Sequence, residues 1–209
     1  MDARSLLKPA VFVACGIPFA RLVALGAGGG LGANPVEFVT RSTGTWTLVL
    51  LCVTLALTPA RRMTGWSALA RVRRMVGLYA FFYACLHFAT YVWLDQWFDA
   101  GAMLRDVVKR PFITAGFTAF VLLLPLAATS TQAMMRRLGR RWGELHRLVY
   151  AVAILGVLHF AWHKAGKNLL AEPMIYAAVV GALLAWRVWW HWRAAGRAKV
   201  FVGHPRSSA

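Results

Sequence analysis

Residues Arg73–Tyr91, RRMVGLYAFFYACLHFATY, join two arginines to a long apolar run that holds one histidine. From position 75 to position 94 no residue carries a formal charge at neutral pH, and about 20 such residues are what a helix needs to cross the hydrocarbon core of a bilayer. The run opens on a basic cluster and closes on Asp95. The same arrangement recurs along the chain, at roughly 9–26, 43–60, 112–128, 145–163 and 174–192, which makes six candidate spans with the run at 75–94. The second and fourth are near the short limit, and Pro125 is expected to kink the fourth.

Composition agrees. Of 209 residues, 59% are hydrophobic and 15% charged, the mean hydropathy is +0.56, and the charges are grouped between apolar stretches. That profile predicts an all-α integral membrane protein, a six-helix transmembrane bundle. No loop between spans exceeds about 20 residues, too little for a separate folded domain, so residues 1–209 read as one transmembrane domain. Arg21 interrupts the first run before any small-residue cleavage site, and the first span is read as a retained helix, not a signal peptide.

The net charge of +17 does not point to nucleic acid, because the 24 Lys and Arg form short clusters beside apolar spans and no continuous basic face. Lipid headgroups and topology account for them. Counted by loop, Arg4, Lys8, Arg61, Arg62, Arg71, Arg73, Arg74, Arg136, Arg137, Arg140, Arg141, Arg147, Arg187, Arg193, Arg197, Lys199 and Arg206 fall on one side. Arg41, Arg105, Lys109, Arg110, Lys164 and Lys167 fall on the other, with Glu37, Asp95, Asp99, Asp106 and Glu172. The positive-inside rule then puts both termini in the cytoplasm. Asp95, Asp99 and Asp106 read as solvated loop charges, with docking of a partner as the alternative. Cys15, Cys52 and Cys85 lie in apolar stretches without a CxxC and read as small core residues. Gly26-Ala27-Gly28-Gly29-Gly30-Leu31-Gly32 follows a membrane helix with no strand before it, which rules out a dinucleotide loop.

Histidines inside spans are functional candidates, because an unpartnered ionisable group is costly there. The third span runs outward from Arg71, Arg73 and Arg74, which puts His87 about 20 Å from the basic edge at 1.5 Å per residue. The fifth also runs outward, from Arg140 and Arg141, with His146 near the basic edge and His159, 13 positions later, ~20 Å deeper. His87 and His159 thus share a depth on spans three and five. Two imidazoles so placed can hold a haem iron from opposite faces, as a six-coordinate centre suited to electron transfer. Ala84 and Gly156, each three residues before a histidine, would let a flat macrocycle approach. His146 raises the question of a second haem, for which no histidine partner stands at its depth on the third span. Arg73 and Arg74 read either as topology signals or as the holders of an anionic cofactor. His163 is a rival ligand one turn after His159, with Lys164 beside it marking the outer interface; His191 lies among interfacial tryptophans, and His204 is given no role.

Several stretches taken together are familiar: Asn34-Pro35-Val36 with Thr43-Gly44, Thr58-Pro59, Arg73-Arg74 through Gly77-Leu78 to His87 and Tyr91, Lys109-Arg110-Pro111 with Thr114 and Gly116, Thr129-Ser130, Leu138-Gly139 through Trp142 to Leu145-His146 with Val149-Tyr150, and His159 with Trp162. In order and spacing, over roughly residues 30–190, the chain resembles the MsrQ (YedZ) family. These are haem-binding membrane subunits of bacterial periplasmic methionine sulfoxide reductase systems, within the wider ferric reductase-like transmembrane group. The resemblance implies haem b at His87 and His159, one haem or two with His146, and FMN, for which Arg73 and Arg74 are the candidates. It further implies an electron donor in the quinone pool or a cytoplasmic flavin reductase, and an acceptor in MsrP, a periplasmic molybdenum-containing reductase that repairs oxidised methionine. The chain has no nucleotide-binding domain of its own and no evident catalytic constellation, which fits an electron-transfer subunit rather than the catalytic one. Read without the resemblance, the same histidines also allow a proton channel or small transporter, or a non-redox assembly subunit.

Overall fold

A computed structural model of the chain describes residues 3–166 and 168–202; Lys167, His204 and Arg206 lie outside the described residues. The helices are α1 (Ala3–Ala27), α2 (Pro35–Thr64), α3 (Ala68–Thr90), α4 (Ala100–Lys109), α5 (Pro111–Ala128), α6 (Gln132–Leu138), α7 (Arg140–Leu145), α8 (Leu148–Ala165) and α9 (Ala171–Val202), with one π-helical turn, Tyr91–Asp95, continuing α3. No strand occurs among the described residues.

Six stretches are long and apolar enough to cross a membrane: Leu6–Ala27, Pro35–Thr64, Ala68–Asp95, Pro111–Ala128, Arg140–Ala165 and Ala171–Ala194. All six expected spans are present, and the chain is a multi-pass membrane protein with an all-α bundle. Two differ from expectation in shape. The second is 30 residues long because its polar first turns are also helical. Pro35 occupies the first position, where its missing N–H costs nothing, and the Asn34 side chain accepts from the Glu37 N–H at 3.1 Å. It ends at Gly65, whose φ of 70° suits glycine. The fifth span is broken. α7 stops at His146, and α8 restarts at Leu148, so His146 and His159 are not on one straight helix.

Proline interrupts the backbone ladders of α1, α2 and α5, and in the first two a side chain from a neighbour compensates. Pro59 has no N–H for the Leu55 carbonyl one turn back; Arg187 of α9 donates to that oxygen at 3.0 Å. In α1, beside Pro18, the Tyr83 hydroxyl donates to the Cys15 carbonyl and accepts from the Phe19 N–H, both at 2.9 Å. Tyr83 thereby inserts into the α1 ladder and is only 1% exposed. These bonds tie the peripheral helices to the bundle where their own backbones are weakest.

α2 and α3 pair along most of their length, as do α5 and α8; α9 lies against α8 and α2, and α1 against α3. One buried cluster, including Leu51, Val76, Tyr83, Leu123 and Val152, joins α1, α2, α3, α5 and α8. A second, of Leu48, Leu55, Ala153, Val157 and Val180, joins α2, α8 and α9. Large apolar side chains elsewhere face outward, among them Phe12, Ile17, Val121 and Trp192, as a lipid-facing surface requires. Cys15, Cys52 and Cys85 are free thiols within spans.

Candidate functional site

α3 and α8 carry the two mid-span histidines. Each packs chiefly on another helix, α3 on α2 and α8 on α5, so an opening between them is bridged mainly by side chains. There the His87 and His159 rings meet, with centroids 6.0 Å apart and planes at 77°. The depth inferred from residue counting is thus matched in space.

Both rings are oriented from behind by backbone. His87 Nδ1 lies 3.0 Å from the Thr40 carbonyl of α2 and 3.4 Å from the Thr43 hydroxyl. His159 Nδ1 lies 2.7 Å from the Phe112 carbonyl of α5. A carbonyl only accepts, so in each ring Nδ1 must be the protonated nitrogen, which leaves Nε2 with its lone pair. This is the second-shell bond that orients a metal-binding imidazole and raises its basicity.

Glycines make the approach feasible. A Cβ on Gly44 would stand 3.0 Å from His87 Cε1, and one on Gly116 2.7 Å from His159 Nδ1. Each histidine therefore packs directly onto the backbone of the helix that supplies its carbonyl. Of the small residues singled out beforehand, Gly156 faces Leu48 of α2, at 3.6 Å for an added Cβ, and so packs the bundle instead of receiving a ligand. Ala84 is buried in the core cluster. Gly44, Gly116, Thr40 and Phe112 are the residues that sequence reasoning missed, because two act through carbonyls and two through the absence of a side chain. The one legible signal was glycine inside otherwise apolar, β-branched-rich helices.

Does this pair fit a haem? With metal–imidazole bonds of about 2.0 Å, as in other first-row sites, two imidazoles on opposite faces of one iron have centroids roughly 6.3 Å apart. The observed 6.0 Å is close, both nitrogens available for ligation are Nε2, and the Phe112 ring lies 6.1 Å from that of His159. The fit is good.

His146 is set apart. Its ring stacks on Trp142 with centroids 3.9 Å apart, and its Nδ1 sits 3.1 Å from the Trp142 carbonyl. Its Nε2 is buried without a hydrogen-bond partner among the described residues, an expensive state that a ligand would relieve. His163 is exposed and lies against Phe112 at 5.6 Å, within electrostatic reach of His87. Lys164 is 6% exposed, and its ammonium is 3.7 Å from Glu172 and 5.8 Å from the Phe160 ring. His191 is exposed. The two arginines at the start of α3 diverge. Arg73 turns into the bundle and donates to the Thr58 hydroxyl at 3.2 Å, whereas Arg74 is exposed.

At the other end, Asp106 draws together the segment after His87. It accepts from Gln96 at 2.9 Å and Tyr91 at 3.4 Å, and pairs with Arg110 at 3.3 Å. Asp106 thus has a structural task, and so does Asp99, which caps α4 by accepting from the Ala102 N–H at 2.9 Å. A cavity of about 720 Å³ opens at the same end, lined by Arg21, Arg41, Glu37 and Trp46 among others. It adjoins α2 positions neighbouring Gly44 but not the histidine rings.

Comparison with known proteins agrees with this geometry. The family described as ferric reductase like transmembrane component matches residues 43–157. A protein of Ralstonia nicotianae is 60% identical over 198 residues, covering 94% of this chain and 91% of its own. One of Bordetella pertussis is 61% identical over 201 residues, covering 94% and 98%, and one of Herminiimonas arsenicoxydans is 54% identical over 200 residues, covering 95% and 92%. Each of the three bears the name protein-methionine-sulfoxide reductase heme-binding subunit MsrQ.

Proposed function

The chain belongs to the ferric reductase-like transmembrane family and, within it, to the MsrQ subunits, and from that premise we propose that it is a membrane electron-transfer subunit serving a methionine sulfoxide reductase, with haem b held between α3 and α8. The observation that carries this reading is the His87–His159 pair, 6.0 Å apart with each Nδ1 engaged by a backbone carbonyl. Haem, when bound, supplies a one-electron carrier inside the bilayer.

The residues divide the work. His87 and His159 would hold the haem through Nε2. The Thr40 and Phe112 carbonyls fix the tautomers and the ring orientations. Gly44 and Gly116 let α2 and α5 close against the rings. Held by two imidazoles, a haem would serve electron transfer rather than oxygen chemistry. His146, its Nε2 unpartnered, is the candidate ligand of a second haem nearer the basic end.

The remaining steps rest on the family resemblance. With both termini in the cytoplasm of a bacterial inner membrane, electrons enter from the quinone pool or a cytoplasmic flavin reductase, with FMN near Arg73 and Arg74. They leave at the opposite face to a periplasmic molybdenum-containing reductase, MsrP, which repairs oxidised periplasmic proteins. The test is direct transfer. Purified protein, chemically reduced under anaerobic conditions, is mixed with the purified periplasmic reductase and methionine sulfoxide. Haem reoxidation should require both; reoxidation indifferent to the reductase would overturn the assignment of partner.

A further inference from the structure

The basic end of the bundle brings three arginines together. Arg73 turns inward from α3, and Arg187 and Arg61 lie within electrostatic reach of it. Among the described residues no carboxylate pairs with any of the three, and the Arg187 Nε is buried without a hydrogen-bond partner. Arg61 is exposed and Arg73 and Arg187 half-buried; like charges so gathered repel, and an anion placed between them offsets that cost.

A cavity of about 190 Å³ lies at this spot, lined by Leu57, Thr58, Arg61, Ala70 and Arg73. Water takes about 30 Å³ in the liquid, so a tetrahedral oxyanion has room. The lining offers two guanidinium groups and a hydroxyl, and Ala70 belongs to the first turn of α3, the positive end of that helix. At the opposing end of α2 the Arg61 carbonyl accepts from the Gly65 N–H. Arg187, held by Tyr150 and the Leu55 carbonyl, stands behind Arg73 as a fixed positive charge.

We propose that this cavity between the ends of α2 and α3 is a phosphate-binding site, with Arg61 and Arg73 as the anion's direct partners and Arg187 as the charge behind them. The proposal rests on the reading of a flavin at this end and deepens it: the second arginine is Arg61, across the cavity on α2, and not only the residue next to Arg73 in sequence. The phosphate has two sources, the 5′-phosphate of FMN or the headgroup of a membrane phospholipid.

The experiment measures FMN binding to the full-length, haem-loaded chain in detergent by quenching of flavin fluorescence. Riboflavin serves as the probe without phosphate and inorganic phosphate as competitor, with retained phospholipid quantified by mass spectrometry on the same samples. FMN should bind at least tenfold more tightly than riboflavin and be displaced by phosphate. Arg61→Gln and Arg73→Gln should each weaken it about 10- to 100-fold, while Arg71→Gln, on an exposed turn of α3, stays within twofold. A phospholipid retained by the wild type and lost in Arg61→Gln would support the same site with a lipid as occupant. Arg61→Gln and Arg73→Gln proteins that keep wild-type affinity for FMN and phospholipid alike would overturn the site. The haem spectrum of each sample keeps the two readings apart: normal haem with arginine-independent binding defeats only this inference, and arginine-dependent binding without haem defeats only the relay.

Discussion

Alanine at position 116 would place a methyl carbon 2.7 Å from His159 Nδ1, nearer than Cβ atoms come to other heavy atoms. The neighbour is a ring packed against backbone and bonded at 2.7 Å to the Phe112 carbonyl, so the ring must rotate or α5 and α8 must part. Overpacking of this kind costs about 1–3 kcal/mol, and losing the hydrogen bond adds about 1 kcal/mol. The bond that breaks is the one that orients the ligand nitrogen, so Gly116→Ala should lower haem affinity roughly 10- to 100-fold. The assay is haem per chain after expression with limiting haem, followed by titration of the apoprotein and visible spectra of whatever binds. Gly44→Ala, at 3.0 Å from His87 Cε1, should do the same more weakly. Gly156→Ala, with 3.6 Å to a flexible Leu48 methyl, should leave haem binding unchanged. A Gly116→Ala protein that binds haem with wild-type affinity and an unaltered low-spin spectrum would refute the inference that these helices close directly on the ligands.

Other expectations concern the supports. Tyr83→Phe removes both bonds that bridge the α1 ladder and should lower stability by about 1–3 kcal/mol, read from thermal unfolding in detergent, with haem content retained. Arg187→Met should destabilise the wild type but cost clearly less in a Pro59→Ala background, where an alanine N–H can satisfy the Leu55 carbonyl; equal costs in the two backgrounds would deny the coupling. His146→Ala should leave the spectrum of the His87–His159 centre intact, and if His146 holds a second haem the pyridine haemochrome count falls by one per chain.

Much of the bundle was legible because the bilayer imposes a length and a charge rule on every span. The run from Arg73 to Tyr91 declares one helix, its basic end and a buried histidine, and the matching depth of His159 follows from counting. Capping extended α2 beyond its apolar stretch, since Asn34-Pro35 can begin a helix in polar sequence that hydropathy scores as loop. The break at His146 carries neither proline nor a run of glycine, and nothing in its spacing announced it. Backbone roles were invisible for the same physical reason. The Thr40 and Phe112 carbonyls exist at every residue, and only packing decides which one meets an imidazole. Arg187 counted as one more topology charge, although Pro59, which frees the carbonyl it binds, was in view. Arg73 and Arg74 look equivalent in sequence; helical geometry turns one into the bundle and the other out of it.

The central claim is that His87 and His159 together hold one low-spin haem, and it is tested most directly by spectra and haem content of the wild type, His87→Ala and His159→Ala, expressed with ample haem. The wild type should show a low-spin b-type reduced-minus-oxidised spectrum, and each single variant should lose that centre while remaining folded in the membrane. A colourless wild type, or a low-spin centre that survives either substitution, would contradict the account.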